Sequence, residues 1–156
     1  LAEKFWEYGV EIIGLRYFNV YGEKQNKAYA GVITKFLDKI EDEENLEIFG
    51  EGNQARDFIF VEDVAEANIK AMLSKVEKGF FNIGTGKKIS IKELGKMMIN
   101  ISKLDLELKF IEPLKGDVEL SQADTSLSKK LLNWEYEMEL KTWLSNILNT
   151  ESIHEK

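Results

Sequence analysis

Four short segments carry residue types suited to holding an anionic, hydroxyl-bearing ligand. The first is Leu15 to Gly22 (LRYFNVYG). It reads as a strand that ends in a polar, aromatic loop, the place where α/β folds collect ligands. Asn19 offers both a donor and an acceptor there, which suits a pyrophosphate or a sugar; a structural turn with aromatic packing is the alternative. The second is Ile48 to Ala67 (IFGEGNQARDFIFVEDVAEA). Gly50 and Gly52 make a turn, and Arg56 beside it could grip phosphate oxygens with two parallel N–H groups. Asp57 follows at once and could instead hold Arg56 in a structural ion pair, while Asp63 reads as a helix cap. The third, Phe80 to Gly86 (FFNIGTG), has a Gly-Thr-Gly run without the lysine of a P-loop or the spacing of a dinucleotide fingerprint, and reads as a tight turn. In the fourth, Leu114 to Asp124 (LKGDVELSQAD), Gly116 gives a bend. Asp117 could accept from ribose hydroxyls and Lys115 could meet a phosphate, unless the segment is a solvated loop.

The elements that must position these residues alternate between helix and strand. Leu1 to Tyr8 has Leu1, Phe5 and Tyr8 at helical spacing, with Gly9 as C-cap. Glu11 to Arg16 reads as a buried strand. Helices are predicted over Gly31 to Asp42, with Val32, Phe36, Leu37 and Ile40 on one face, and over Val61 to Ser74, with Val64, Ala67, Ala71 and Met72 on one side. Ser90 and Glu93 form a capping-box pattern that opens a helix over Ile91 to Lys103. Asp124 caps a short helix ending near Asn133, and Glu139 to Asn149 is the last helix. Strands are predicted over Leu46 to Phe49, Asp57 to Phe60, Gly79 to Ile83 and Leu106 to Ile111. The tail from Thr150 reads as frayed. The whole is an α/β pattern with short connections. A helix that starts uncapped at residue 1, followed by a lone strand, suggests a βαβ unit whose earlier strands lie upstream.

Composition narrows the chemistry. The chain has 156 residues, enough for one domain with a real core. It has no cysteine, which excludes disulfides and thiolate metal sites, and its single histidine, His154, lies in a polar tail. A histidine-based zinc site or a Ser-His-Asp triad is therefore not expected. A net charge of −7 argues against a nucleic-acid partner. No apolar run is long enough to span a membrane, so a cytoplasmic protein is expected.

Taken together and in this order, the four segments resemble the nucleotide-sugar epimerase and dehydratase group of extended short-chain dehydrogenases, most nearly its UDP-hexose 4-epimerases. The similarity runs from Leu1 to about Leu144. It implies the carboxy-terminal half of that fold: residues 1–30 as the end of a Rossmann sheet, residues 31–149 as a small α/β substrate-binding region, and residues 150–156 as a tail. By resemblance, Asn19 contacts the diphosphate, Arg56 holds it and Asp117 binds the ribose. Tyr29, Val32 and Ile33 meet the base, Phe49 packs near it, and Tyr17 and Phe18 lie near the nicotinamide. Ser121 matches a position beside the sugar C2 substituent, where a small residue leaves room for an N-acetyl group. Leu114 stands where the group often has an arginine, and Lys115 is a candidate substitute.

The resemblance also implies NAD as cofactor, a UDP-sugar as partner and a homodimer for the intact enzyme. In that group NAD takes a hydride from C4 of the sugar and returns it to the other face, with the tyrosine of a Tyr-x-x-x-Lys pair as base. That pair would lie upstream of Leu1, and no glycine-rich NAD loop is present in these 156 residues. The chain alone is thus expected to bind rather than to turn over. A related dehydratase, decarboxylase or heptose 6-epimerase, or a non-catalytic binding protein, are the competing readings.

Overall fold

A computed structural model of the chain describes residues 2–23, 25 and 31–149. Leu1, Tyr29 and the predicted tail lie outside the described residues. The elements run α1 (Ala2–Trp6), β1 (Ile12–Tyr17), β2 (Asn19–Tyr21), α2 (Val32–Glu41), β3 (Leu46–Phe49), β4 (Ala55–Arg56) and β5 (Phe58–Phe60). They continue with α3 (Val61–Leu73), β6 (Lys78–Ile83), β7 (Ile89–Ser90), α4 (Ile91–Ser102), β8 (Leu108–Ile111), α5 (Ser126–Leu132) and α6 (Leu140–Asn149).

The strands pair two by two. β1 runs parallel to β6 from Ile12 opposite Lys78 to Tyr17 opposite Ile83. β2 is parallel to β5, β3 is parallel to β8, and β4 is antiparallel to β7. In two places a pair of these strands is one continuous strand that changes partner at a single residue. The chain leaves β6 at Phe18, whose N–H donates to Ile83 O at 3.0 Å, and joins β5 at Asn19. It likewise leaves β7 at Asp57 and joins β2 at Phe58. The Leu15 to Gly22 segment is therefore a kinked strand and not a loop, because its backbone groups find partners on both sides of the break.

The two kinks meet. The backbone N–H of Asn19 donates to Asp57 O at 3.0 Å, and the Asn19 side-chain amide donates to the same oxygen at 3.1 Å. The Asp57 side chain is completely buried and collects four donors. Oδ1 accepts from Thr85 N at 2.8 Å and Thr85 Oγ1 at 2.7 Å; Oδ2 accepts from Gly86 N at 2.8 Å and Ala123 N at 3.0 Å. The Gly-Thr-Gly run is the tight turn expected from the sequence, and the anion it cradles is the protein's own carboxylate. Gly84 is required for this approach: a Cβ there would lie 2.7 Å from Ala123 Cβ and 3.0 Å from Asp57 Oδ2. Asp57 does not pair with Arg56, the alternative left open by the sequence.

Two apolar cores flank these kinks. One gathers Phe36 and Ile40 of α2, Leu46 and Ile48 of β3, Leu94 and Met98 of α4, and Trp143 and Leu144 of α6. The other gathers Ile59, Val64, Ala67, Phe81, Ile83 and Trp134. The helices largely follow the predicted periodicity. In α2, Phe36 and Ile40 are buried with Ile33, while Val32 and Leu37 pack at the edge. The capping box of Ser90 and Glu93 is formed in both directions. In α3, Val64, Ala67 and Ala71 are buried, but Met72 is 77% exposed, because a step of one residue turns it about 100° away from Ala71.

Asp63 does not cap α3. Its buried carboxylate accepts from Glu137 N at 3.0 Å and Met138 N at 3.1 Å, and its carbonyl accepts from Trp134 Nε1, which fixes the 134–138 segment to the start of the helix. Asp124 is not the cap of α5 either: Thr125 holds the N-cap position, and Asp124, one residue earlier, accepts from Ser126 N at 3.0 Å.

β1 is not the buried strand that its apolar run predicts. None of its residues is fully buried, because among the described residues it has a strand partner on one side only, while α3 packs against it. Phe5, Tyr8 and Val10 beside it, and Ile69, Met72 and Leu73 on α3, are also exposed. An open strand edge with apolar neighbours favours association. Sedimentation of this chain should therefore show concentration-dependent oligomers; a compact monomer at high concentration would contradict the exposure just described.

The Asp57 network gives a second test. Asp57→Asn leaves an amide N–H₂ facing two of the four donors, so the folded state should lose about 2–4 kcal/mol in urea unfolding. A change under about 0.5 kcal/mol, the scale of an ordinary surface substitution, would show that those contacts do not hold the fold.

Candidate functional site

A cleft of about 650 Å³ opens between α2, β2, β3 and the kink at β4–β5. Asn19, Val32, Ile33, Phe49, Arg56 and Asp117 all line it. Six of the sequence-predicted residues, drawn from five separate stretches of chain, thus come together on one surface.

Local structure explains each placement. Asn19 sits at the first kink and is held by Asp57 O. Val32 and Ile33 form the first turn of α2, and Phe49 ends β3, whose carbonyl accepts from Gln54 Nε2 at 3.0 Å. That bond closes the turn in which Gly50 and Gly52 take φ of +64° and +73°. Arg56 ends β4 just before the second kink. Its guanidinium donates to the carbonyls of Ala55, at 2.9 Å, and Val118, and forms an ion pair with the carboxylate of Asp117. The Arg56 side chain is only 14% exposed, so the pair is partly withdrawn from water.

This ion pair joins two residues 61 positions apart in the chain. It also fixes the 117–121 segment, which is further tied to β4 by Ala55 N donating to Glu119 O at 2.8 Å and Ser121 N donating to Ala55 O at 3.0 Å. Leu114 faces the cleft, but Lys115 is not among its lining residues.

The other predicted site residues lie apart. Ser121 is half-buried next to Ala55 and does not line the cleft. Tyr17 is beside a different depression, between β1 and α3, and its hydroxyl donates to Asn68 Oδ1 at 2.8 Å. Phe18 occupies the first kink, half-buried. Neither Tyr17 nor Phe18 is among the residues that line the cleft that holds Arg56.

Sequence reasoning missed several lining residues. Tyr21 and Phe58 belong to the core and the cleft at once, and Lys35 closes the first turn of α2 that Val32 opens, where helical spacing alone could have found it. The Tyr21 hydroxyl is pushed well above the usual tyrosine range by burial, with the nearby carboxylates of Asp63 and Glu139 adding to the effect. It stays neutral and is unsuited to act as a base. No group of three or more metal-ligating side chains occurs among the described residues, and no helix among them is long and apolar enough to cross a membrane.

Comparison with known proteins agrees with this architecture. The profile of the NAD dependent epimerase/dehydratase family matches residues 3–84. A putative UDP-glucose 4-epimerase of Methanocaldococcus jannaschii is 41% identical over 91% of this chain, which spans 46% of that protein. The UDP-glucose 4-epimerase of Thermotoga maritima, solved with UDP-glucose, superposes with a TM-score of 0.85 at 36% identity, over 92% of this chain and 48% of that one. A UDP-N-acetylglucosamine 4-epimerase of Methanobrevibacter ruminantium, in complex with UDP-N-acetylmuramic acid, gives 0.85 at 34% identity, over 94% and 48%. The chain thus spans about half the length of these relatives, and its fold is that of the carboxy-terminal half of an extended short-chain dehydrogenase. The sequence match, the kinked parallel strands and the cleft at their ends place the chain in the NAD dependent epimerase/dehydratase family.

Proposed function

We propose that this chain is the sugar-nucleotide grip of an NAD-dependent 4-epimerase acting on UDP-hexoses or UDP-N-acetylhexosamines. The observation that carries the reading is the convergence of Asn19, Phe49, Arg56 and Asp117 on one cleft. Phe49 supplies an aromatic face for the base, Arg56 a planar cation for the diphosphate, Asp117 an acceptor for ribose hydroxyls, and Asn19 a polar contact beside the phosphates. Tyr29 belongs to the base contacts in this reading.

A grip at the nucleotide end leaves the sugar free to turn. An epimerase that removes and returns a hydride at C4 needs that freedom, since the sugar must present opposite faces to one cofactor. NAD supplies the hydride chemistry when bound; Tyr17 and Phe18 are proposed to contribute to the wall beside it. The residues of this chain bind and orient, and the intact enzyme is proposed to be a cytoplasmic homodimer.

Two measurements test the reading. Calorimetric titration of the chain with UDP should show saturable binding, and Arg56→Ala should weaken it at least about tenfold, as expected for loss of a bidentate charged contact. Unchanged affinity in the variant would remove Arg56 from the ligand. In the intact enzyme, Ser121→Tyr should abolish turnover of UDP-N-acetylhexosamines and spare UDP-hexoses; equal loss on both substrates would refute a role for Ser121 in C2 selectivity.

A further inference from the structure

Among the described residues that line the cleft, acidic side chains outnumber basic ones. Its lining includes the acidic side chains Asp38, Asp42, Glu47 and Asp117. Of its cations, Arg56 is paired with Asp117 and Lys39 with Glu44. A diphosphate would bring two or more further negative charges into this setting. Among the described lining residues the remaining cation is Lys35, on the first turn of α2; its side chain is exposed and makes no ion pair or hydrogen bond with another described residue.

Its position is unfavourable for the helix itself. The first turn of α2 contains no acidic residue, and a lysine there opposes the positive end of the helix dipole. No described contact compensates. A residue that breaks a local rule without a local return is where a ligand contact is expected.

We infer that Lys35 is a second cation for the bound nucleotide and neutralises the diphosphate alongside Arg56. This rests on the nucleotide reading above and extends it. Lys35 acts as a point charge on a flexible stem, whereas Arg56 is fixed in place by two carbonyls and a carboxylate. Arg56 sets the orientation of the phosphates, and Lys35 follows them.

The test is calorimetric titration of the chain with UDP in three forms: wild type, Lys35→Ala and Lys35→Arg. Alanine should weaken binding about five- to tenfold, the scale of a partly screened contact between charges. Arginine should restore most of the affinity, and the thermal midpoint of Lys35→Ala should hold or rise, because the helix loses an unfavourable charge. If alanine leaves UDP affinity unchanged while Arg56→Ala removes it, the inference fails and the nucleotide reading stands. If folded wild-type chain takes up no UDP, both fail. A loss that arginine does not restore would mean that Lys35 shapes the cleft and does not balance its charge, which overturns the assignment.

Discussion

The arrangement depends on one buried carboxylate. Asp57 stands where a strand changes partner, and its four donors come from the 84–86 turn and the 123 segment. Its carbonyl holds Asn19 at the other kink. A buried charge is tolerable only when its lone pairs are filled by hydrogen bonds, so these segments must all reach Asp57 together. Arg56 precedes this anchor and Phe58 follows it, and both line the cleft. The precision of the binding residues is therefore inherited from a group that touches no ligand in our reading.

Much of the fold was legible from residue spacing. The capping box of α4, the apolar face of α2 and the strand β3 were found where the pattern put them, because each is determined within a few neighbouring residues. The kinked strands were not. A break at Phe18 or Asp57 depends on partners far along the chain, and no period of two or 3.6 records a change of partner. The short strands β4 and β7 escaped for the same reason. β1 looked like a buried strand by composition, yet burial is set by what stacks on a strand and not by its own residues.

The site divides in the same way. Residue chemistry pointed to Asn19, Arg56 and Asp117, and the resemblance to the base-side positions. The partners of Arg56 could not be read from its surroundings. Asp57, its neighbour, looked like the natural counter-charge, but the side chains of successive strand residues point to opposite faces, and Asp117 meets Arg56 from a distant loop. Asp63 misled for a similar reason: acidic residues in a first helical turn usually serve the helix, and this one serves the 137–138 backbone.

The parallel pairings carry a consequence for how the chain reaches this state. β1 must wait for β6, β3 for β8, and Asp57 for Ala123, each lying far downstream. Contacts of high sequence separation cost loop-closure entropy before they return any stabilisation, which slows folding. During synthesis β1 and its apolar neighbours emerge well before β6, which pairs with one side of that strand. The chain therefore passes through a stage in which its unpaired edges are most open to other copies, and its yield should depend as much on the speed of that passage as on the stability of the end point.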